Sequence, residues 1–295
     1  FKIFDLPNPA IGLKIMKQLG VFRICFPEFD GSDPVGSLGA DAENCFDSLV
    51  YLIEKFVEFE EIIVRRKKQS AAMDLLQAEM LINFGGFRDE LKDYFQNQIH
   101  QDRNLRSITI LGMIYASKFA HVRFNKNDFS LSKQNNNSLV IKPILPIKKF
   151  VLSKNEEKWV SKFVENALSI ENLMGDVENL TPQFAFEFFD QAKDSGVAVC
   201  LFSLFKQTQK LQFTHSNPTW KKYLLHIRFL LDAYFNHYDE WINPPVFLNG
   251  HEVRKITKIH DGKKIGEVLN QLKIKTLNGE INNRQEAVDY LRNCY

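Results

Sequence analysis

The sequence predicts an all-α protein. Two observations carry this: apolar residues recur at three- and four-residue spacing along most of the chain, and sustained period-two alternation is scarce. A third is helix-start chemistry, with Ser, Thr or Asn-Pro standing just ahead of the periodic runs. Of the 295 residues, 44% are hydrophobic and 25% charged, which suits a globular protein with a sizeable core. A wholly disordered, collagenous or membrane-embedded chain is thereby excluded. The length leaves room for one large domain or two ordinary ones.

In chain order, Phe46, Leu49, Val50, Ile53, Phe56 and Val57 fall on one face of a helix. Trp159, Val160, Phe163, Val164, Ala167 and Leu168 do the same, and Ser153 with Glu156 three residues later marks that helix's start as a capping box. Thr181-Pro182 opens a phenylalanine-rich helix through Phe184, Phe188 and Phe189, because proline is tolerated at the first helical position. Asn217-Pro218 precedes another, carrying Trp220, Leu224, Ile227, Leu231 and Tyr234, and Pro244-Pro245 breaks the pattern. Leu139 to Lys149 is the one moderate strand candidate, with prolines that argue against a central strand. The polar run Gln134 to Ser138, flanked by Pro143 and Pro146, is expected to be a mobile linker between helical groups. The expected division is therefore 1–130, a linker or loop at 131–150, helices over 151–242, and a compact unit over 243–295. No fixed-period repeat is present.

Charge and cysteine content narrow the chemistry. With 38 Lys and Arg against 36 Asp and Glu the formal charge is +2, so nucleic-acid binding requires a local patch. Cys25, Cys45, Cys200 and Cys294 are scattered without a CxxC pair and are expected to be reduced thiols in a reducing compartment. The longest nearly apolar stretch, Gly196 to Phe205, is about half a bilayer-spanning helix, so no membrane partner is expected.

Catalytic signatures are few. Gly85-Gly86-Phe87-Arg88-Asp89 pairs glycines with Arg-Asp as nucleotidyltransferase heads do, but is one residue short and lacks a downstream Asp-x-Asp for Mg²⁺. A turn between helices is the favoured reading. His260-Asp261 would suit a metal-dependent phosphohydrolase only with further ligands, and His100, His121, His215, His226, His237 and His251 show no such grouping. There is no G-x-S-x-G elbow, Walker loop or Rossmann fingerprint. The run Arg65-Arg66-Lys67-Lys68 follows Glu54, Glu58, Glu60 and Glu61 on one expected long helix. Acid before base favours a solvated face over RNA contact. The expectation is no catalytic and no metal-binding residue in this chain.

The two ends of the chain carry a resemblance. Asn243-Pro244-Pro245-Val246-Phe247-Leu248-Asn249-Gly250-His251-Glu252-Val253 is followed by Gly262-Lys263-Lys264-Ile265-Gly266-Glu267-Val268-Leu269, then by Gly279-Glu280-Ile281-Asn282-Asn283-Arg284-Gln285-Glu286-Ala287. This order resembles the tail of the class II CCA-adding tRNA nucleotidyltransferase and poly(A) polymerase family. Pro9 to Val21, with Gly12-Leu13 and Leu19-Gly20, then Phe26-Pro27-Glu28-Phe29, looks like that family's neck. The residues between match only in helical character.

The resemblance implies a multi-helix neck, body and tail without the catalytic β-sheet head, and a role in tRNA 3′-end processing with tRNA as partner. Neck and first body helices would occupy 1–130, further body helices 151–242 and the tail 243–295. Mg²⁺, CTP and ATP are implied for the missing head, whose carboxylates lie upstream of the neck in the family. A cytoplasmic or mitochondrial location follows from the same resemblance. A fragment of a complete enzyme is favoured over a non-catalytic RNA-binding or structural relative within a larger ribonucleoprotein assembly. A generic helical scaffold without an RNA role is the third reading. Residues 251–295 hold nine Lys or Arg against six acids, so the basic excess is concentrated there. Arg254, Lys255, Lys258, Lys263 and Lys264 cluster around a helix start at Gly262, whose amide donors and partial positive charge suit a phosphate. Gly266, one turn in, would let a nucleic-acid backbone approach.

Overall fold

The computed structural model describes residues 1–29, 39–65, 74–100, 102–121, 129–133, 139–143, 147–176, 180–210 and 218–295. The chain is all-α, with helices α1 (Pro9–Gln18), α2 (Val21–Cys25), α3 (Gly39–Phe59), α4 (Leu75–Phe84), α5 (Arg88–Gln96) and α6 (Leu105–His121) in its first part. Then come α7 (Lys154–Asp176), α8 (Pro182–Ala192), α9 (Gly196–Lys210), α10 (Pro218–Asn236), α11 (Gly250–Thr257), α12 (Gly262–Leu277) and α13 (Arg284–Cys294). Two compact units emerge: Phe1–Val177 with Ala192–Arg228, and Glu178–Gln191 with Phe229–Tyr295.

The larger unit is organised by α3, α6, α7 and α9, which pack on one another. Every residue from Val197 to Phe205 on α9 is at most 1% exposed, so the most apolar stretch of the sequence is a helix buried on all sides. Its Ser203 and Thr208 hydroxyls donate to the Cys200 and Phe205 carbonyls at 2.7 and 2.6 Å, which removes the penalty of burying them. Among the described residues no helix is long and apolar enough to cross a membrane. Phenylalanines fill the space around it, Phe56 and Phe59 meeting Phe205, and Phe163 meeting Phe202 edge-on at 5.5 Å. At the α6–α7 crossing a Cβ on Gly112 would stand 2.6 Å from Phe163 Cδ1, so the missing side chain sets how closely these helices approach.

The helix starts follow local chemistry. The Ser153 amide donates to Glu156 Oε2 at 2.7 Å and the Glu156 amide to Ser153 Oγ at 3.4 Å, closing the expected capping box. Phe184 N–H donates to Thr181 Oγ1 at 3.2 Å, starting α8 at Pro182. On α10, Trp220, Leu224, Ile227 and Leu231 are at most 4% exposed, as their spacing requires. The Gly85–Phe87 segment is a 3₁₀ turn between α4 and α5, and Arg88 Nε donates to the Ile63 carbonyl at 2.6 Å. That bond gives Arg88 a structural role.

One expectation is met in part and two features differ from expectation. The strand candidate from Leu139 does form a strand, β4 (Leu139–Pro143), antiparallel to β3 (Phe129–Lys133), with Leu131 opposite Ile141 and Phe129 opposite Pro143. Both strands are edges, so Pro143 at the last pair interrupts no central ladder. The 134–138 run lies outside the described residues. A second hairpin, β1 (Gln98–His100) with β2 (Arg103–Asn104), leads into α6. Finally, the expected long helix through Glu54 to Lys68 does not continue as α-helix: α3 passes into a π-helical turn, Glu60–Val64, ending at Arg65. Arg66, Lys67 and Lys68 lie outside the described residues. Glu60, expected on a solvated acidic face, is 4% exposed and binds Arg106 of α6.

In the smaller unit, α11, α12 and α13 enclose Leu248, Val253, Ile265, Val268, Leu272, Ile281, Ala287 and Leu291. Asn270 Nδ2 donates to Asp190 Oδ2 at 3.2 Å, and the Phe189 and Tyr234 rings meet at 5.1 Å, tying α8 and the end of α10 into the same unit.

Candidate nucleic-acid interface

The basic end of the chain is built on caps. Asn249 opens α11: its side chain accepts from the His251 and Glu252 amides at 3.0 Å, and Glu252 returns a bond from the Asn249 amide at 2.8 Å. After eight helical residues α11 ends at Lys258, which takes the left-handed conformation at φ +55°. Only glycine adopts this without strain, so Lys258 costs about 1 kcal/mol there. The chain then reverses through Ile259 and His260 to Asp261, the N-cap of α12.

Asp261 changes one expectation. Its Oδ1 accepts from the Lys263 amide at 2.8 Å, so the chain itself fills part of the anion-binding helix start. What remains for an external phosphate is the side-chain charge of Lys263 and Lys264 more than the amide donors. Those lysines sit in the first turn, at the positive end of the helix dipole, where a cation is disfavoured by about 0.3–1 kcal/mol. Arg254 and Lys255 are different. They occupy the last turn of α11, where the dipole favours them and a purely structural account suffices.

The nine tail cations separate into two sets. Lys275 meets Glu280 Oε2 at 2.5 Å and Arg284 meets Glu252 Oε1 at 2.5 Å. Lys273 donates to Asn243 Oδ1 at 3.3 Å. The hydrogen bond with Glu280 holds the Lys275 amine above its ordinary range, and the same bond holds the Glu280 carboxyl below its own. By contrast Arg254, Lys255, Lys258, Lys263 and Lys264 are all exposed, and none enters an ion pair among the described residues. Arg292 is exposed as well. A Cβ on Gly266 would meet nothing within 4 Å, which leaves open surface one turn from the two lysines.

The remaining candidates resolve as scaffold. His226 is 3% exposed with its Nδ1 2.6 Å from the Lys222 carbonyl, and Asp261 of the His260-Asp261 pair is a helix cap. Cys25, Cys45, Cys200 and Cys294 are free thiols; burial pushes Cys45 up to about 12 and Cys200 higher still, so both are inert. Among the described residues no group of three or more His, Cys, Asp or Glu converges. Sequence reasoning missed the buried Arg106–Glu60 pair, since partners 46 residues apart leave no local signal.

Fold and surface thus define a helical protein whose tail unit presents cations that are unpaired among the described residues. No protein-family model matches the chain, and neither the curated proteins nor the solved structures contain a significant match.

Proposed function

We propose that this chain is the tRNA-binding helical portion of a CCA-adding tRNA nucleotidyltransferase-like protein, serving tRNA 3′-end processing through its tail. One observation carries the reading. Lys258, Lys263 and Lys264 are exposed, unpaired among the described residues, and held where backbone or dipole disfavours them. Local conflicts of this kind mark positions kept for binding. Together with Arg254 and Lys255 they form a cationic rim around the α11–α12 turn, suited to phosphates of an RNA backbone. Such contacts position RNA without reading its sequence. Nucleotidyl transfer itself, with Mg²⁺, CTP and ATP, belongs in this reading to a catalytic head, and no step is routed through the residues described.

The test is the double substitution Lys263→Ala with Lys264→Ala. Affinity for many tRNAs should fall alike, and the slope of log affinity against log salt should flatten by about two, one per lost phosphate contact. Helical content by circular dichroism should be unchanged. Unaltered affinity at every salt concentration would sink the reading and return attention to the run beginning at Arg65.

A further inference from the structure

The first two helices carry apolar residues on the side that the core does not use. On α1, Pro9, Ala10, Gly12 and Leu13 are buried. At 3.6 residues per turn Ile11 and Ile15 fall on the opposite side, and both are exposed. Leu19 continues their row four residues on. Val21 and Ile24, three apart on α2, extend it past the left-handed turn at Gly20. Leu6 joins from the N-terminal side, because a Cβ on Gly12 would stand 3.6 Å from its Cδ1. These six side chains are each between 38% and 74% exposed. Exposed apolar residues are ordinarily scattered singly, and a helix that is apolar on both sides is one that is covered on both. We propose that this face is a self-association surface, which seats the same face of a second copy of the chain.

Charge selects the occupant. Lys2, Lys14, Lys17 and Arg23, on and beside the two helices, are matched in number by Asp5 and Glu28 with Asp47 and Glu54 of α3. Lys14 pairs with Glu54 at 2.7 Å, both half exposed, and Lys17 lies 4.2 Å over the ring of Phe46, the neighbour of Asp47. A balanced rim attracts neither a polyanion, whether RNA or an acidic membrane, nor a strongly acidic or basic peptide. It does suit a copy of itself, since each cation of one copy can find an acid on the other.

Composition and geometry point the same way. The exposed set is Leu, Ile and Val throughout, without the Trp, Tyr or Phe enriched in membrane-surface helices and transient partner sites. Interfaces between identical copies are the more apolar class. Ile11, Ile15 and Leu19 form a four-residue ridge, and such ridges on two helices interdigitate in the commonest mode of helix packing. A two-fold axis brings that ridge onto itself, so one sequence supplies both sides. A standard interface draws about 800 Å² from each partner, with an apolar centre inside a polar rim. The aliphatic row and the charges beside it have that arrangement.

Sedimentation equilibrium of the whole chain tests this. The parent should show a reversible monomer–dimer equilibrium in the micromolar range. Ile11→Glu and Ile15→Glu should each weaken it by at least about thirtyfold, with helical content by circular dichroism unchanged. Ile82→Glu, at an exposed position on α4 away from this face, should leave it unaltered. A parent that stays monomeric throughout that range overturns the proposal. So does a dimer that survives both substitutions on α1, or one weakened equally by Ile82→Glu. A monomer that floats with phosphatidylcholine vesicles, and loses them on Ile15→Glu, would assign the face to lipid and overturn it as well. The α1 variants leave the tail intact, so tRNA affinity is a separate readout.

Discussion

Lys258 and Glu60 show how much single residues decide. Lys258 holds φ +55° at the end of α11, so Lys258→Gly should relieve the left-handed strain and raise stability by about 1 kcal/mol. The same change removes a cation from the candidate interface and should weaken tRNA binding. Thermal melts and tRNA titrations on one preparation would read both signs; a variant neutral in both assays would contradict the assignment. Glu60 behaves differently. Burial raises its carboxyl above the ordinary range, and the Arg106 guanidinium only partly pulls it back. Between the unfolded and the raised native value, the folded state binds more protons than the unfolded chain. This contribution is therefore full below the ordinary carboxylate range and is lost as pH rises through the native value. Subtracting the stability–pH curve of Glu60→Gln from that of the parent should isolate a falling step in mildly acid conditions, flat above it. A featureless difference would refute the shift.

At the scale of elements, two glycines with opposite surroundings make a paired test. A Cβ on Gly112 would press to 2.6 Å from Phe163 Cδ1 where α6 crosses α7, so Gly112→Ala should destabilise the larger unit by about 1–3 kcal/mol through overpacking. Gly266 sits in α12 with nothing within 4 Å of its Cβ direction, so Gly266→Ala should stabilise by about 0.5–1 kcal/mol from helix propensity alone. If RNA backbone approaches that surface, the stabilised Gly266→Ala protein will nonetheless bind tRNA less tightly. Urea titrations give the two stabilities, and a binding isotherm gives the third quantity. Equal tRNA affinity for Gly266→Ala would mean that the open surface is not used.

For the molecule as a whole, the expected outcome with Mg²⁺, CTP and ATP is that this 295-residue chain adds no nucleotide to tRNA. Phosphoryl-transfer chemistry with two metals needs carboxylates set together, and no Asp-x-Asp pair follows Gly85-Gly86 to supply them. Template-specific incorporation, followed by gel analysis of labelled tRNA, would refute this. The division into Phe1–Val177 with Ala192–Arg228 and Glu178–Gln191 with Phe229–Tyr295 also means that two separate chain segments build each unit. That arrangement was not readable from composition, because α8 and α10 each look like continuous amphipathic helices and give no sign of a boundary within them.

What the sequence determined by itself was local. The three-residue interval from Ser153 to Glu156 specifies a capping box, and the spacing of Trp220, Leu224, Ile227 and Leu231 specifies a buried face. Each depends on the energies of residues within a turn or two of one another. The exposure of Arg254, Lys255, Lys258, Lys263 and Lys264 also follows from their spacing against Val253, Ile265 and Val268. Tertiary structure decided which charges are engaged. Glu60 looked like one more solvated acid until the packing of α3 on α6 brought Arg106 to it across 46 residues, and Gly112 became indispensable only when α7 laid Phe163 against it. Pairing across such distances is set by which helix faces meet, and that depends on the whole core at once, because desolvation acts on a charge only after its surroundings have closed.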